Sequence, residues 1–166
     1  RLIANYGVGY ENIDLDAARA RGIVVTNTPR AVIAATAELT FALLLACSRR
    51  VIELDGLIRR TPGIKPHIGR MEYLGFDLEG ETLGILGYGN IGAAVARRAR
   101  AFGMKVYYYK RHRLSAVEEE DEGISYLPMD ELLARCRVLS VHTPYSAETH
   151  HLIDARALAK MRRDAV

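Results

Sequence analysis

The chain has no tryptophan, only two cysteines and no apolar run long enough to cross a bilayer. Each absence excludes something. Cys47 and Cys136 stand alone without C-x-x-C spacing, which argues against a disulfide framework; reduced thiols in a cytoplasmic protein are the expectation. The most apolar stretch, "AVIAATAELTFALLLAC", carries Thr36, Glu38 and Thr40 within 17 residues, so it reads as a buried helix and not a membrane span. The first residues show no signal-peptide pattern. An excess of one charge is missing too: 23 basic residues face 20 acidic ones, for a net +3. That balance builds no nucleic-acid face. Neither nucleic acid nor a membrane is therefore an expected partner.

What is present fits a globular domain, with 49% hydrophobic and 26% charged residues. The sequence opens at Arg1 and stops at Ala165-Val166 as an apolar segment begins, so a piece of a longer chain is expected. "RLIAN" predicts a strand, "YGVGYEN" a glycine-spaced loop, "IDLDAARARG" a short helix and "IVVT" a second strand. One long helix is predicted from about Ala31 to Arg60, then a proline- and glycine-bearing linker, "TPGIKPHIG". The acidic run "EEEDE" at 118–122 reads as a solvated face. From residue 80 the pattern alternates: "TLGILG" strand, "NIGAAVARRARAFG" helix, "KVYYY" strand, "DELLARC" helix, "RVLSVH" strand, "DARALAKM" helix. Such alternation predicts βαβ units, hence an α/β fold with a doubly wound parallel sheet of Rossmann type, incomplete at its C-terminal side.

Residues 87–92 read Gly87-Tyr88-Gly89-Asn90-Ile91-Gly92, a G-x-G-x-x-G between a predicted strand and a helix. The context gives the glycines physical tasks. Gly87 permits a tight bend, Gly89 admits a pyrophosphate to the backbone, and Gly92 lets helix and strand pack closely. The N–H groups of Asn90 and Ile91, at the positive end of the helix, suit an anion.

In such folds the next strand ends beside the adenosine ribose, where an acid about 20 residues on accepts from the hydroxyls of NAD. Here "KVYYY" ends at Lys110, followed by Arg111, His112 and Arg113, with no acid among them. A carboxylate repels a 2′-phosphate, whereas Lys110, Arg111 and Arg113 attract one. NADP(H) is thus the preferred cofactor and NAD(H) the alternative, in which case "KRHR" is a solvated basic turn.

The segments "ANYGVGYENIDLDAARARGIVVTNTP", "TAELTFALLLACSRR", "LEGETLGILGYGNIG" and "SVHTPYSAETHHLI" together resemble, in order and spacing, the D-isomer-specific 2-hydroxyacid dehydrogenases, with a flavour closest to glyoxylate and hydroxypyruvate reductases. The resemblance implies hydride transfer between NAD(P)H and a small 2-keto acid. It also implies three regions: residues 1–27 as a remnant of a flavodoxin-like substrate domain, 28–79 as a connecting helix and linker, and 80–166 as the nucleotide domain. Asn5, Val8 and Gly9 would hold the substrate carboxylate through an amide nest. Thr36 would face the nicotinamide side, and His142, Thr143, Pro144 and Thr149 the adenine and ribose. The run "FALLLAC" implies a homodimer.

The family's catalytic Arg, Glu and His would lie beyond Val166, so the chain is expected to bind a dinucleotide without turning over. His67, His112, His142, His150 and His151 fit no acid/base role, and no zinc spacing accompanies the last two. Met71 stands where the family often has tryptophan, and Arg137 where aspartate is common. These departures leave open a phosphoglycerate or phosphite dehydrogenase-like enzyme, or a non-catalytic dinucleotide-sensing corepressor.

Overall fold

The structure is a computed structural model that describes residues 1–61, 63 and 73–166. His67, Met71 and most of the linker segment lie outside the described residues. The chain starts with β1 (Leu2–Ala4), α1 (Leu15–Ala20) and β2 (Val24–Thr26). The two strands pair in parallel, Leu2 opposite Val24 and Ala4 opposite Thr26. The Asp14 carboxylate caps α1 by accepting from the Ala17 N–H at 2.8 Å, satisfying a first-turn amide that has no partner inside the helix.

The single long helix expected from Ala31 to Arg60 is instead two, α2 (Ile33–Ser48) and α3 (Val51–Arg60). Arg50 adopts a left-handed conformation between them (φ 55°). The Ser48 carbonyl accepts from the Phe76 N–H at 2.9 Å, so a later chain segment seals the end of α2. That partner is 28 residues away and no Gly or Pro marks the break, so periodicity alone runs through it.

A second, four-stranded sheet holds β3 (Thr82–Leu86), β4 (Lys105–Tyr109), β5 (Ser125–Tyr126) and β6 (Val138–Val141). All pairings are parallel, in the order β5-β4-β3-β6. Between the strands run α4 (Asn90–Ala101), α5 (Ala116–Glu122) and α6 (Met129–Arg135), with α7 (Ala155–Lys160) after β6. Alternation along β3 sorts its two faces. Leu83 and Ile85 join the core formed with Val95 and Ala99 of α4 and with Ala37, Phe41 and Leu44 of α2. On the other face a Cβ on Gly84 would come within 2.9 Å of the Cys136 sulfur and 3.2 Å of Leu132, so the glycine lets α6 lie close to the strand. Buried there, the Cys136 thiol has its pKa pushed up to about 11. Helices thus cover both faces, and the sheet is doubly wound as the alternation predicts.

The segment read as a solvated acidic face is the helix α5. Its start carries a capping box: Ser115 accepts from the Glu118 N–H, and the Glu118 carboxylate accepts from the Ser115 N–H at 2.8 Å. Glu119 is buried against β4, contrary to the solvated reading.

Candidate dinucleotide-binding site

The sheet order creates a crevice. After β3 the chain moves outward through β4 and β5, then returns across β3 to β6, and open α/β sheets bind ligands where the winding reverses in this way. Three segments meet there: 87–92 after β3, 109–113 after β4 and 142–149 after β6. The Gly87 N–H donates to the Tyr109 carbonyl at 2.9 Å. Gly87 has φ 96°, and a Cβ on it would lie 2.8 Å from the Thr143 nitrogen. Both its conformation and its crowding require glycine.

Gly89 and Gly92 differ in kind. A Cβ on Gly92 would approach the Gly87 carbonyl oxygen to 2.6 Å and the Ile85 side chain to 3.1 Å. A Cβ on Gly89 would meet nothing within 4 Å, so this position opens onto free space. Gly89 is the N-cap of α4 and supplies no capping side chain. The amides of Asn90 and Ile91 therefore stand at the helix start without an intrahelical acceptor. An open cradle, uncapped amides and a helix dipole fit a pyrophosphate.

The basic turn divides. Lys110 is half-buried and lies within electrostatic reach of Glu118, while exposed Arg111 lies within reach of Glu148 across the crevice. Arg113 is engaged elsewhere: its Nε and Nη2 donate to both Glu119 oxygens at 2.8 and 2.9 Å, and its guanidinium sits 5.2 Å from the Tyr126 ring centroid. This pairing holds the Glu119 carboxyl below the usual carboxylate range, with the Tyr108 hydroxyl assisting. Burial pushes the Tyr108 phenol up to about 12. Sequence reasoning missed Glu119, although the capping-box spacing Ser115-x-x-Glu118 signals the helix that carries it.

On the β6 side His142 is half-buried, its Nε2 sharing a 2.8 Å hydrogen bond with the Ser140 hydroxyl. Burial lowers its pKa. Pro144 and Thr149 belong to one loop: the Thr149 hydroxyl donates to the Pro144 carbonyl and accepts from the Ser146 N–H, both at 2.7 Å. The His150 and His151 rings stack at 3.9 Å, and the described residues contain no metal-binding cluster. Thr36 lines a cavity of about 350 Å³ between α2 and β6, together with Thr40, Ser140 and His142. In the N-terminal unit the Asn5 side chain donates to the Gly9 carbonyl at 2.7 Å and the Asn27 side chain to the Val8 carbonyl at 2.9 Å. With those carbonyls occupied, the Val8 and Gly9 amides find no acceptor among the described residues.

Residues 41–166 match the family described as D-isomer specific 2-hydroxyacid dehydrogenase, NAD binding domain. The chain belongs to this family. It is 45% identical, over its full length, to a glyoxylate reductase of Thermococcus litoralis, of which it covers 50%. A D-lactate dehydrogenase from Aquifex aeolicus, solved with NAD and lactic acid, superposes with a TM-score of 0.85 at 34% identity, covering 98% of this chain and 47% of that one. An acyclic imino acid reductase solved with NADPH and D-Arg gives 0.84 at 30% identity, covering 99% and 51%. The chain thus spans about half the length of the relatives it matches and carries the NAD-binding domain of the 2-hydroxyacid dehydrogenases. No described helix is long and apolar enough to cross a membrane.

Proposed function

We propose that the protein is the nucleotide-binding part of an NADPH-preferring reductase of small 2-keto acids such as glyoxylate or hydroxypyruvate. The observation that carries this reading is the end of β4: beside the glycine loop, Lys110 and Arg111 occupy the place where an NAD-selective site has a carboxylate. The relatives add support. Two at 45% and 46% identity are named glyoxylate reductases, and the superposable folds hold NAD in one case and NADPH in another.

Gly87, Gly89, Asn90, Ile91 and Gly92 bind the pyrophosphate, and Lys110 and Arg111 recognise the 2′-phosphate, while Arg113 stays paired with Glu119 behind them. His142, Thr143, Pro144 and Thr149 wall the adenosine side, and Thr36 bounds the nicotinamide side. The bound nicotinamide supplies the hydride. Residues 1–27 act as the edge of a substrate domain, where Asn5 shapes the loop and the Val8 and Gly9 amides orient the substrate carboxylate. None of this chain's histidines is assigned the acid/base role. His142 shares a hydrogen bond with Ser140, and His150 stacks on His151. A homodimer through the exposed face of α2 completes the reading.

Paired titrations with NADPH and NADH test it. Wild type should bind NADPH more tightly, and Lys110→Ala or Arg111→Ala should each weaken NADPH by about ten- to a hundredfold through loss of a charge-assisted contact. NADPH binding should also weaken more with added salt than NADH binding. Tighter binding of NADH by the wild type sinks the assignment.

A further inference from the structure

One carboxylate ties together the two ends of the basic turn. Tyr108, the last fully buried residue before it, donates its hydroxyl to Glu119 Oε1 at 2.8 Å. Arg113, at its exit, donates to Oε1 and Oε2 of the same carboxylate at 2.8 and 2.9 Å. The Leu114 N–H donates back to the Tyr108 oxygen at 2.9 Å, which closes the loop on itself. The Glu119 side chain is 11% exposed and the Arg113 side chain 59%, so the ion pair is anchored from its inner member. Residues 109–112 therefore run between two points fixed on α5, while the Tyr109 carbonyl takes the Gly87 N–H of the phosphate loop.

We infer that Glu119 is a positioning residue for cofactor selection, fixing the course of the turn on which Lys110 and Arg111 stand beside Gly87. Arg113 then acts at one remove, as the counter-ion of Glu119 and not as a phosphate ligand. The inference rests on the NADPH reading above and deepens it. A buried carboxylate with a bidentate guanidinium is a geometrically demanding pair, and a neutral or single-pronged substitute loosens the turn's exit without touching the glycine cradle.

Glu119→Gln keeps an acceptor for Tyr108 but loses the charged fork to Arg113. It should lower the NADPH-to-NADH affinity ratio by about tenfold. Arg113→Lys keeps the buried charge paired through one prong, and should lower the ratio in the same direction by about threefold. Urea melts establish that each titrated variant is folded, and Arg113→Lys decides alone if Glu119→Gln is not. A purely structural role would weaken both cofactors equally and leave the ratio unmoved, which overturns the inference. A rise in the ratio for Glu119→Gln also overturns it, because the released Arg113 would then be a phosphate ligand itself. Lys110→Ala and Arg111→Ala run in parallel. If they lower the ratio while Glu119→Gln and Arg113→Lys do not, only the role of Glu119 fails; if none of the four lowers it, the NADPH reading fails with it.

Discussion

Gly92 lies against the carbonyl of Gly87: a methyl group on the first would come within 2.6 Å of the oxygen of the second. The contact joins the bend after β3 to the first turn of α4, and it separates packing from binding within one motif. Gly92→Ala should destabilise the fold by about 1–3 kcal/mol, since a well-packed site must shift to admit a methyl group. Gly89→Ala has open space around it and changes an N-cap from Gly to Ala, which should cost under about 1 kcal/mol. Its methyl nevertheless enters the space where a pyrophosphate would approach, so dinucleotide affinity should fall by about tenfold or more. Urea unfolding and cofactor titration on both variants check the contrast. Equal stability losses would count against it.

Tyr108→Phe should destabilise by about 1–3 kcal/mol, because one deletion removes a donor from buried Glu119 and leaves the part-buried Leu114 N–H without its acceptor. The Leu114 N–H loses its acceptor and Glu119 loses a donor, in a side chain with no exposed surface. The ring contacts with Tyr88 (4.9 Å) and Tyr126 (5.6 Å) remain, so the loss reports the hydroxyl. Chemical denaturation at constant pH measures it.

The sheet was legible because its evidence is local. Each strand of 80–166 except β5 spans four or five mostly apolar residues, and the glycine fingerprint names its own strand and helix. β5 was missed because two residues, Ser125 and Tyr126, carry no periodicity; the strand exists only through pairing with Tyr107 and Tyr108. The break at Arg49-Arg50 and the burial of Glu119 were illegible for a related reason. Both depend on partners brought in from elsewhere, Phe76 in one case and β4 in the other. In the basic turn, composition announced four consecutive polar residues at the ribose position. Which of them are free and which are engaged is decided by α5, whose acidic sequence looks solvated on its own.

His142 gives the protein a pH dependence with a definite sign. Burial lowers its folded pKa below the unfolded value. Between the two values the unfolded chain binds more protons, so stability rises with pH through that window. The contribution is complete above about pH 6.5, the unfolded histidine value, and is lost as pH falls below it. Unfolding free energies between about pH 7.5 and 5.5 should therefore decline in the wild type and decline less in His142→Asn. Glu119 and the other lowered carboxylates act at more acid pH, below about 4.5, and leave this window to the imidazole. Identical slopes in the two proteins would show that His142 is not the titrating group.

The outer stripe of α2 bears on assembly. Ala37, Phe41 and Leu44 point to the core, where Phe41 stacks on Phe102 of α4 at 5.2 Å. Leu39 and Leu43, four residues apart on another stripe, are 58% and 56% exposed, and Ile52 follows at 74% on α3. A helix apolar on two sides needs two partners, and α4 supplies only one. The proposed dimer would cover the second. Burying a leucine contributes about 1.5–3 kcal/mol, so exchanging Leu39 and Leu43 together for glutamate should raise the dimer dissociation constant by at least about a hundredfold. Light scattering should report a dimer for the wild type and a monomer for Leu39→Glu/Leu43→Glu. A wild type of monomeric mass at tens of micromolar would remove the dimer from the reading, and a double variant that stays dimeric would move the interface to another face.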